Sequence, residues 1–415
     1  MKKLLSILMV ALLIVFASCS NEPVISYTVT FESNGGTPVP SQKVEEGHQV
    51  IAPPTNPTKA GYVFVFWYLS GSTSAYDFQS SVNNDFTLYA EWATGSNGGG
   101  DNDDDYSPFA KLSEGLYRIN EGSYTAIQVA DSDPDKDTFV RDAVKWVNTN
   151  SEGVSTSIAE YVLVLDSKTY STPGSVNVLT QKYTTLTIYG KKDAVIQLTS
   201  EGKMFDIGSY NDRLGVKFIL DGHLTIQGIS NNKASLLDVA FGATVEMKGN
   251  TKITNNSCDS ENSALTFAAP GGVYVYEATL IMDDNAEISN VANRSNSYII
   301  DRITQRMIVA GGGVAMAGGK SDSHTIVIMR GSSKITNNKV VNTAAHSATY
   351  GRGGGVVVGA YCDLIMEDNA LIANNTAAGR ISLGGGVYIG SGGTLTQKGS
   401  SKIESNTPDN IYRAE

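Results

Sequence analysis

A recurring order of apolar, charged and small residues fills the second half of the chain. Five similar segments superimpose on their isoleucines, namely ATVEMKGNTKITNN, ATLIMDDNAEISNV, TIVIMRGSSKITNN, CDLIMEDNALIANN and GTLTQKGSSKIESN. Their anchor isoleucines, 31 to 47 residues apart, are Ile253, Ile288, Ile335, Ile372 and Ile403. Glycine runs followed by valine separate the segments. Each period predicts a glycine-led strand, a strand that mostly ends in Met and a charged residue, and a strand that mostly ends in Asn-Asn.

The residue types at single positions of the repeat favour stacked coils. Positions eight and six before each anchor would point inward, because side chains alternate along a strand. They hold Val245 and Met247, Leu280 and Met282, Val327 and Met329, Leu364 and Met366, and Leu395 and Gln397. Asparagine tolerates the left-handed backbone of a tight corner, its amides can bond from coil to coil, and glycine permits close backbone approach. The pattern predicts a mainly β protein, with a parallel β-helix over residues 108–415.

Charges five positions before the anchors alternate in sign. The series is Lys248, Asp283, Arg330, Glu367 and Lys398. In stacked coils about 4.8 Å apart, each of these side chains would face two opposite charges. Lys191 and Asp221 extend the series upstream if Ile196 and Ile226 are also anchors. Exposed pairs are weak, but the alternation disfavours a slip by one coil.

The region before the repeats predicts an entrance to the solenoid. A helix near residues 137–148 would bury Val140, Ala143, Val144 and Val147, with Asp137 as its cap. Strands follow at residues 161–165 and 186–190. An amphipathic helix of this kind covers the open apolar end of a solenoid.

Residues 27–92 predict a separate small β domain. Residues 27–31 and 87–92 alternate as strands do, and Asn34-Gly35-Gly36 marks a turn. The segments VTFESNGG, PTNPTKAGYVFVFWY and LYAEW resemble the Listeria–Bacteroides repeat, also called the internalin B-type repeat. Phe66 departs from that pattern where glycine is usual. The resemblance implies a β-grasp-like stalk or adhesive module, and we interpret its aromatic residues as core rather than as ligand-stacking groups.

A Gly- and Asp-rich linker is predicted over residues 93–107. Its acidic run lacks the glycine and the distal glutamate of an EF-hand, so a flexible linker is the better interpretation.

The first residues predict export. Lys2 and Lys3 precede an apolar run too short to span a bilayer comfortably, and small residues stand before Cys19. The segment resembles a bacterial lipoprotein signal, covering residues 1–18, with residues 19–26 as a tether. This implies acylation of Cys19 and a lipid-anchored protein, with the outer membrane and the cell surface as the expected location. An ordinary secretory signal is the alternative.

The repeats also resemble known families. The Gly-Gly-Val-Tyr and Ile-x-x-Asn elements are similar to the repeats of chlamydial polymorphic outer-membrane proteins, which are adhesins. The region as a whole resembles the right-handed parallel β-helix of pectin-lyase-like proteins. These resemblances imply a right-handed solenoid attached to the small β-grasp-like domain.

Composition excludes some functions. The formal net charge of −11 disfavours nucleic-acid binding, which needs clustered positive charge. The four histidines lie far apart, so neither a metal site nor a cofactor is predicted. Cys258 and Cys362 are expected to be unpaired.

The segments between Asn-Asn and the next glycines vary most, over residues 257–270, 291–310, 339–352 and 376–383. As loops on one side of a rod they would be a binding surface. They hold Arg294, Tyr298, Arg302, Arg306, Tyr350, Arg352 and Arg380. We therefore expect a non-catalytic surface protein for adhesion to, or binding of, a host, matrix or glycan ligand. Solvated loop residues are the plainer interpretation of this set.

A carbohydrate-active enzyme on acidic glycans is the alternative function, and a structural spacer is a third. Enzymes of the pectin-lyase type cluster acidic residues around a basic one. The candidates here are Asp283, Asp284, Glu367 and Asp368 around Arg330. Neighbouring coils carry charges at the same positions, as a structural ladder would, and we favour no catalysis.

Overall fold

The computed structural model describes most of the chain as two compact units, Met1–Tyr106 and Ser107–Glu415. The described residues are 25–53, 57–59, 62–70, 76, 78, 80–94, 107–120, 123–129, 138–208, 215–259, 270–295, 307–318, 324–342 and 349–414. The lipoprotein-type signal with Cys19 lies outside these ranges, as do Asp137 and most of the linker.

The first unit contains a four-stranded sheet. Its strands are β1 (Ser26–Glu32), β2 (Gln42–Glu45), β3 (Tyr62–Leu69) and β4 (Phe86–Thr94), in the order β2-β1-β4-β3. Strands β1 and β4 are parallel and the other two pairs are antiparallel. The predicted turn is confirmed, since Asn34 and Gly35 have φ angles of 48° and 88°.

Aromatic residues form much of the core of the first unit. Trp67 is buried and meets Phe31 edge-on at 5.0 Å between ring centroids. The pairing of β3 with β4 shifts register between Phe64 and Trp67, which is where Phe66 replaces the usual glycine. The departure from the family pattern thus coincides with a local irregularity in one strand pair.

The second unit is a parallel β-helix built on four sheets. Sheet 1 has sixteen strands: β5 Gly115–Asn120, β6 Ser123–Ile127, β7 Ala159–Leu165, β8 Thr169–Thr172, β10 Thr184–Leu198, β12 Val216–Gln227, β14 Thr244–Met247, β15 Lys252–Thr254, β18 Thr279–Met282, β19 Glu287–Ser289, β23 Thr325–Met329, β24 Lys334–Thr336, β28 Cys362–Met366, β29 Leu371–Ala373, β33 Thr394–Gln397 and β34 Lys402–Glu404. Sheet 2 contains β9 Asn177–Leu179, β11 Phe205–Ile207, β13 Leu237–Ala240, the glycine-led strands β17 Val273–Tyr276, β22 Val314–Ala317, β27 Val356–Val358 and β32 Val387–Ile389, and β35 Ile411–Arg413.

Two smaller sheets occupy the segments that were expected to be loops. Sheet 3 consists of β16 Ser257–Asp259, β20 Ala292–Ser295, β25 Lys339–Asn342 and β30 Thr376–Ala378. Sheet 4 consists of β21 Met307–Ala310, β26 Thr349–Arg352 and β31 Ile381–Leu383. Strands in both sheets pair in parallel with those of the next coil. The prediction of three strands per coil was therefore wrong, because complete coils contain five.

The anchor isoleucines stack in register as predicted. Ile196, Ile226, Ile253, Ile288, Ile335, Ile372 and Ile403 each pair with the next in the series. The inward apolar positions of β14, β18, β23 and β28 are fully buried. Leu395 is only partly buried and Gln397 is exposed in β33. The period of the sequence is thus the period of the coil.

The predicted helix, α1, spans Phe139–Asn150 and closes the apolar end of the coils. Val140, Ala143, Val144 and Val147 are buried, as expected, and belong to the same apolar core as the first coils. The residue at the N-cap is Thr138, without a side-chain capping bond, whereas the sequence had suggested Asp137.

Asparagines form a continuous hydrogen-bonded corner. The first residue of each pair, such as Asn337 or Asn374, has a positive φ of 57° or 58°. The second is buried: Asn375 accepts from the Asn338 amide at 2.9 Å and donates to the Ile335 carbonyl at 2.9 Å. Asn406 repeats the arrangement one coil on. The corner side chains thus satisfy backbone groups of the neighbouring coil.

The charged series stacks in register, but its members pair by twos. Arg330 Nε donates to Asp283 Oδ2 at 2.6 Å, Lys398 Nζ to Glu367 at 2.9 Å, and Lys248 lies 3.3 Å from Asp221. No ion pair joins Asp283 to Lys248 or Glu367 to Arg330 in the described chain. Lys191 departs from the series and pairs with Asp166. Each charge thus has one opposite partner rather than the two that were expected.

A charge exchange tests this pairing. Arg330→Asp would place two carboxylates in adjacent coils and lower the free energy of unfolding by about 0.5–1 kcal/mol, because both groups are partly exposed. The double variant Asp283→Arg with Arg330→Asp restores an attractive pair and should recover most of the loss. Urea unfolding at low and high salt measures both, and equal stability of the two variants would contradict the pairing.

Candidate ligand-binding face

The structure places four of the seven predicted binding residues on or beside sheets 3 and 4. Arg294 is exposed on β20, Tyr350 and Arg352 are half-buried on β26, and Arg380 is exposed between β30 and β31. Tyr298, Arg302 and Arg306 lie outside the described residues. The expectation that the whole set lies on loops was wrong for three of the residues, which belong to paired strands.

Arg352 sits between two aromatic rings. Its guanidinium carbon is 4.8 Å from the ring centroid of Tyr350 and 4.8 Å from that of Tyr388. Tyr388 stacks in turn on Tyr412, with centroids 5.6 Å apart and planes inclined by 11°. Aromatic faces attract a guanidinium through their quadrupole. Four side chains from three successive coils therefore form one cluster, the arginine cluster.

Glycine corners bring these side chains together. Gly353 has a φ of 61° and turns the chain from β26 directly into β27. Val356 and Val358 point into the core, and the residue between them pairs with Tyr388 of the next coil. Tyr388 and Tyr412 occupy the same register of sheet 2, and Tyr388 is itself buried, with 7% of its surface exposed. The sequence reasoning missed these two tyrosines, although Tyr388 belongs to the recurring Gly-Gly-Val-Tyr motif.

Three arginines of this side lack a carboxylate partner in the part of the chain that the structure describes. No ion pair within 4.0 Å joins Arg294, Arg352 or Arg380 to a carboxylate of the described residues. Within the same described part of the chain, Arg352 Nε is buried without a hydrogen-bond partner. On a chain with a net charge of −11, unpaired cations on one side are available to an anionic ligand.

The candidate catalytic residues of the alternative function are held by the turns of the coil. Asp284 Oδ2 and Asp368 Oδ2 accept the amides of Gly249 and Gly331 in the preceding coil, both at 2.9 Å. Asp283 forms an ion pair with Arg330, and Glu367 forms an ion pair with Lys398. Burial raises the pKa of Asp284 above its usual value. These bonds account for the four acidic residues as parts of the stacked turns.

Both described cysteines are buried and unpaired, as expected. Burial raises the pKa of the Cys258 and Cys362 thiols to about 12, so both are protonated near neutral pH. Across the described ranges, no three His, Cys, Asp or Glu side chains converge as metal ligands. No helix in the same ranges is both long and apolar enough to span a membrane.

Comparison with known proteins concerns limited parts of the chain. Residues 27–91 match the Listeria-Bacteroides repeat domain. A protein of Evansella cellulosilytica named "Putative Gly-rich membrane protein" is 40% identical over 97 residues, which are 21% of this chain and 11% of that protein. A second from the same organism, named "Putative membrane protein", is 46% identical over 68 residues, 16% of this chain and 10% of that protein. The chain therefore covers about a tenth of the length of each relative.

Proposed function

We propose that this chain is a lipid-anchored surface protein that binds an anionic ligand through its arginine cluster and catalyses no reaction. The lipoprotein-type signal of residues 1–18 precedes Cys19, whose acylation supplies the anchor, and the outer membrane is the expected location. The repeat domain at residues 27–91 and the membrane-protein names of the relatives support display at the cell surface. The β-helix then presents sheets 3 and 4 to a matrix, host or glycan partner.

Arg352 carries the proposal. Its guanidinium is oriented by Tyr350 and Tyr388, so less conformational entropy is lost when it binds a ligand. A guanidinium offers several donors in one plane and binds carboxylate or sulfate groups in pairs of hydrogen bonds. Arg294 is exposed on β20 of sheet 3, and Arg380 is exposed in the turn that joins sheet 3 to sheet 4. The preferred ligand is a polymer with repeated negative charges, such as a sulfated or carboxylated glycan.

A titration of the full chain tests the proposal. Heparin oligosaccharides should bind with an affinity that falls as salt rises, and dextran of equal size should not bind. Arg352→Ala should weaken heparin binding about tenfold, the loss expected for one central contact. Arg352→Lys keeps the charge but loses the flat stacking group. Its affinity for heparin should therefore lie between those of the wild type and Arg352→Ala.

Two results would overturn this function. One is equal binding of heparin and dextran with no effect of Arg352→Ala. The other is depolymerisation of a uronate polymer by the full chain that is abolished by Arg330→Ala, which would favour the enzyme. The bonds that hold Asp283, Asp284, Glu367 and Asp368 in the turns are the reason to expect no such activity.

A further inference from the structure

An exposed tyrosine stands on a left-handed backbone at another corner of the coil, between β27 and β28. Tyr361 has a φ of 56°, and the residue is 43% exposed. Bulky side chains rarely occupy this conformation, although Tyr183 and Phe241 also adopt it elsewhere in the coils, each with a φ of 53°. The phenol hydroxyl makes no hydrogen bond with any described residue. The exposure of its ring, rather than its backbone conformation, therefore distinguishes Tyr361 from Tyr183 and Phe241, which are half-buried.

Glycine serves the same position in the next coil. Asp363 pairs with Thr394, which places Tyr361 opposite Gly392, and the Tyr361 amide donates to the Gly392 carbonyl at 3.1 Å. Gly392 has a φ of 79° and has no side chain that could cover the tyrosine ring. The corner can thus be made without a side chain, and the tyrosine leaves an aromatic surface open to solvent.

A histidine beside that ring is hydrogen-bonded to a carboxylate of the same coil as the tyrosine. His324 lies in the preceding coil, with its ring centroid 6.3 Å from that of Tyr361. His324 Nδ1 contacts Asp363 Oδ2 at 2.8 Å, and Thr394 Oγ1 donates to Asp363 Oδ1 at 2.5 Å. The Thr394 hydroxyl lowers the pKa of Asp363 below its usual value, so the carboxylate is ionised at neutral pH. Three coils thus combine an aromatic ring, a carboxylate, an imidazole and a hydroxyl.

We propose that this corner, the Tyr361 corner, binds a neutral pyranose unit of a glycan. The apolar face of a sugar ring packs on a tyrosine, and its neighbouring hydroxyls donate to a carboxylate that is already oriented. The second lone pair of each Asp363 oxygen is available for such hydroxyls, since each oxygen holds one donor from the protein. The ionised Asp363 repels acidic sugars, which separates this site from the arginine cluster.

Neutral oligosaccharides titrated into the full chain test the Tyr361 corner. The probes are hexamers of β-glucan, mannan and galactan, with chemical shifts or heat as the readout. At least one hexamer should bind with a dissociation constant of about 1 mM or lower. Tyr361→Gly should weaken that binding about tenfold, and Tyr361→Phe should retain it, because the ring face is kept. Asp363→Asn should also weaken it about tenfold.

The tyrosine variants separate binding from folding. Because glycine adopts a positive φ without steric cost, Tyr361→Gly should leave the thermal midpoint unchanged or raise it while binding is lost. A fall of the midpoint would show that the ring is a structural element, and the proposal would fail. It also fails if none of the three hexamers binds, or if Tyr361→Gly binds as the wild type does. Arg352→Ala is the matched control and should bind the neutral hexamer normally, so that failure at one site is distinguishable from failure at the other.

Discussion

Replacing Asn375 by alanine is expected to lower the free energy of unfolding by about 3–5 kcal/mol. The asparagine side chain is fully buried and serves two backbone groups of the preceding coil, the Asn338 amide and the Ile335 carbonyl, both at 2.9 Å. Alanine would leave both groups buried without partners, and each such group costs about 1–3 kcal/mol. Asn406 would also lose the Asn375 side-chain donor at 3.0 Å.

Urea unfolding of the full chain, followed by circular dichroism, measures this loss. Asn374→Gly is the matched control, because the adjacent Asn374 is exposed and has a φ of 58°. Glycine accepts that conformation, so the control should stay within about 0.5 kcal/mol of the wild type. Equal effects of the two substitutions would show that the buried amides do not hold the corner together.

Gly355→Ala is the second large effect, with an expected loss of about 3 kcal/mol or failure to fold. A methyl group there would lie 2.7 Å from the Gly386 carbonyl oxygen and 2.9 Å from Asn375 Nδ2. Both neighbours belong to the stacked corner, and the carbonyl is backbone that moves only if the coil spacing changes. The substitution therefore strains two coils at once.

The control for this substitution is Gly390→Ala. Its added methyl group would meet the Val358 carbonyl oxygen at 3.3 Å, and no other atom closer than 3.8 Å. We expect a loss below about 1 kcal/mol. Thermal unfolding and the soluble yield of the two variants provide the comparison. A well-folded Gly355→Ala with wild-type stability would contradict the close approach of coils at the glycine corner.

The coil could be predicted because its corners need particular residues. Isoleucine, asparagine and glycine recur at positions where burial, left-handed backbone and close approach leave few alternatives. The strands of sheets 3 and 4 are only three or four residues long, and their pairing depends on neighbouring coils rather than on local alternation. Nothing in residues 257–259 or 376–378 alone predicts a strand.

The sites were harder to predict than the coil. Tyr350 and Arg352 belong to the predicted set of basic and aromatic residues, but Tyr388 joins them from the next coil, and its Gly-Gly-Val-Tyr motif indicates only a strand. Tyr361 and His324 are 37 residues apart in sequence and meet only through the register of β23 and β28. Contacts between coils depend on insertion lengths, which vary from one period to the next.

The central proposal is that Arg352 of the arginine cluster, and not the paired Arg330, binds the anionic ligand. Heparin affinity and unfolding free energy, measured together for Arg330→Ala and Arg352→Ala, test it most directly. The account predicts that Arg330→Ala loses some stability and keeps its affinity, whereas Arg352→Ala loses about tenfold in affinity. Loss of heparin binding in Arg330→Ala with full binding in Arg352→Ala would contradict it.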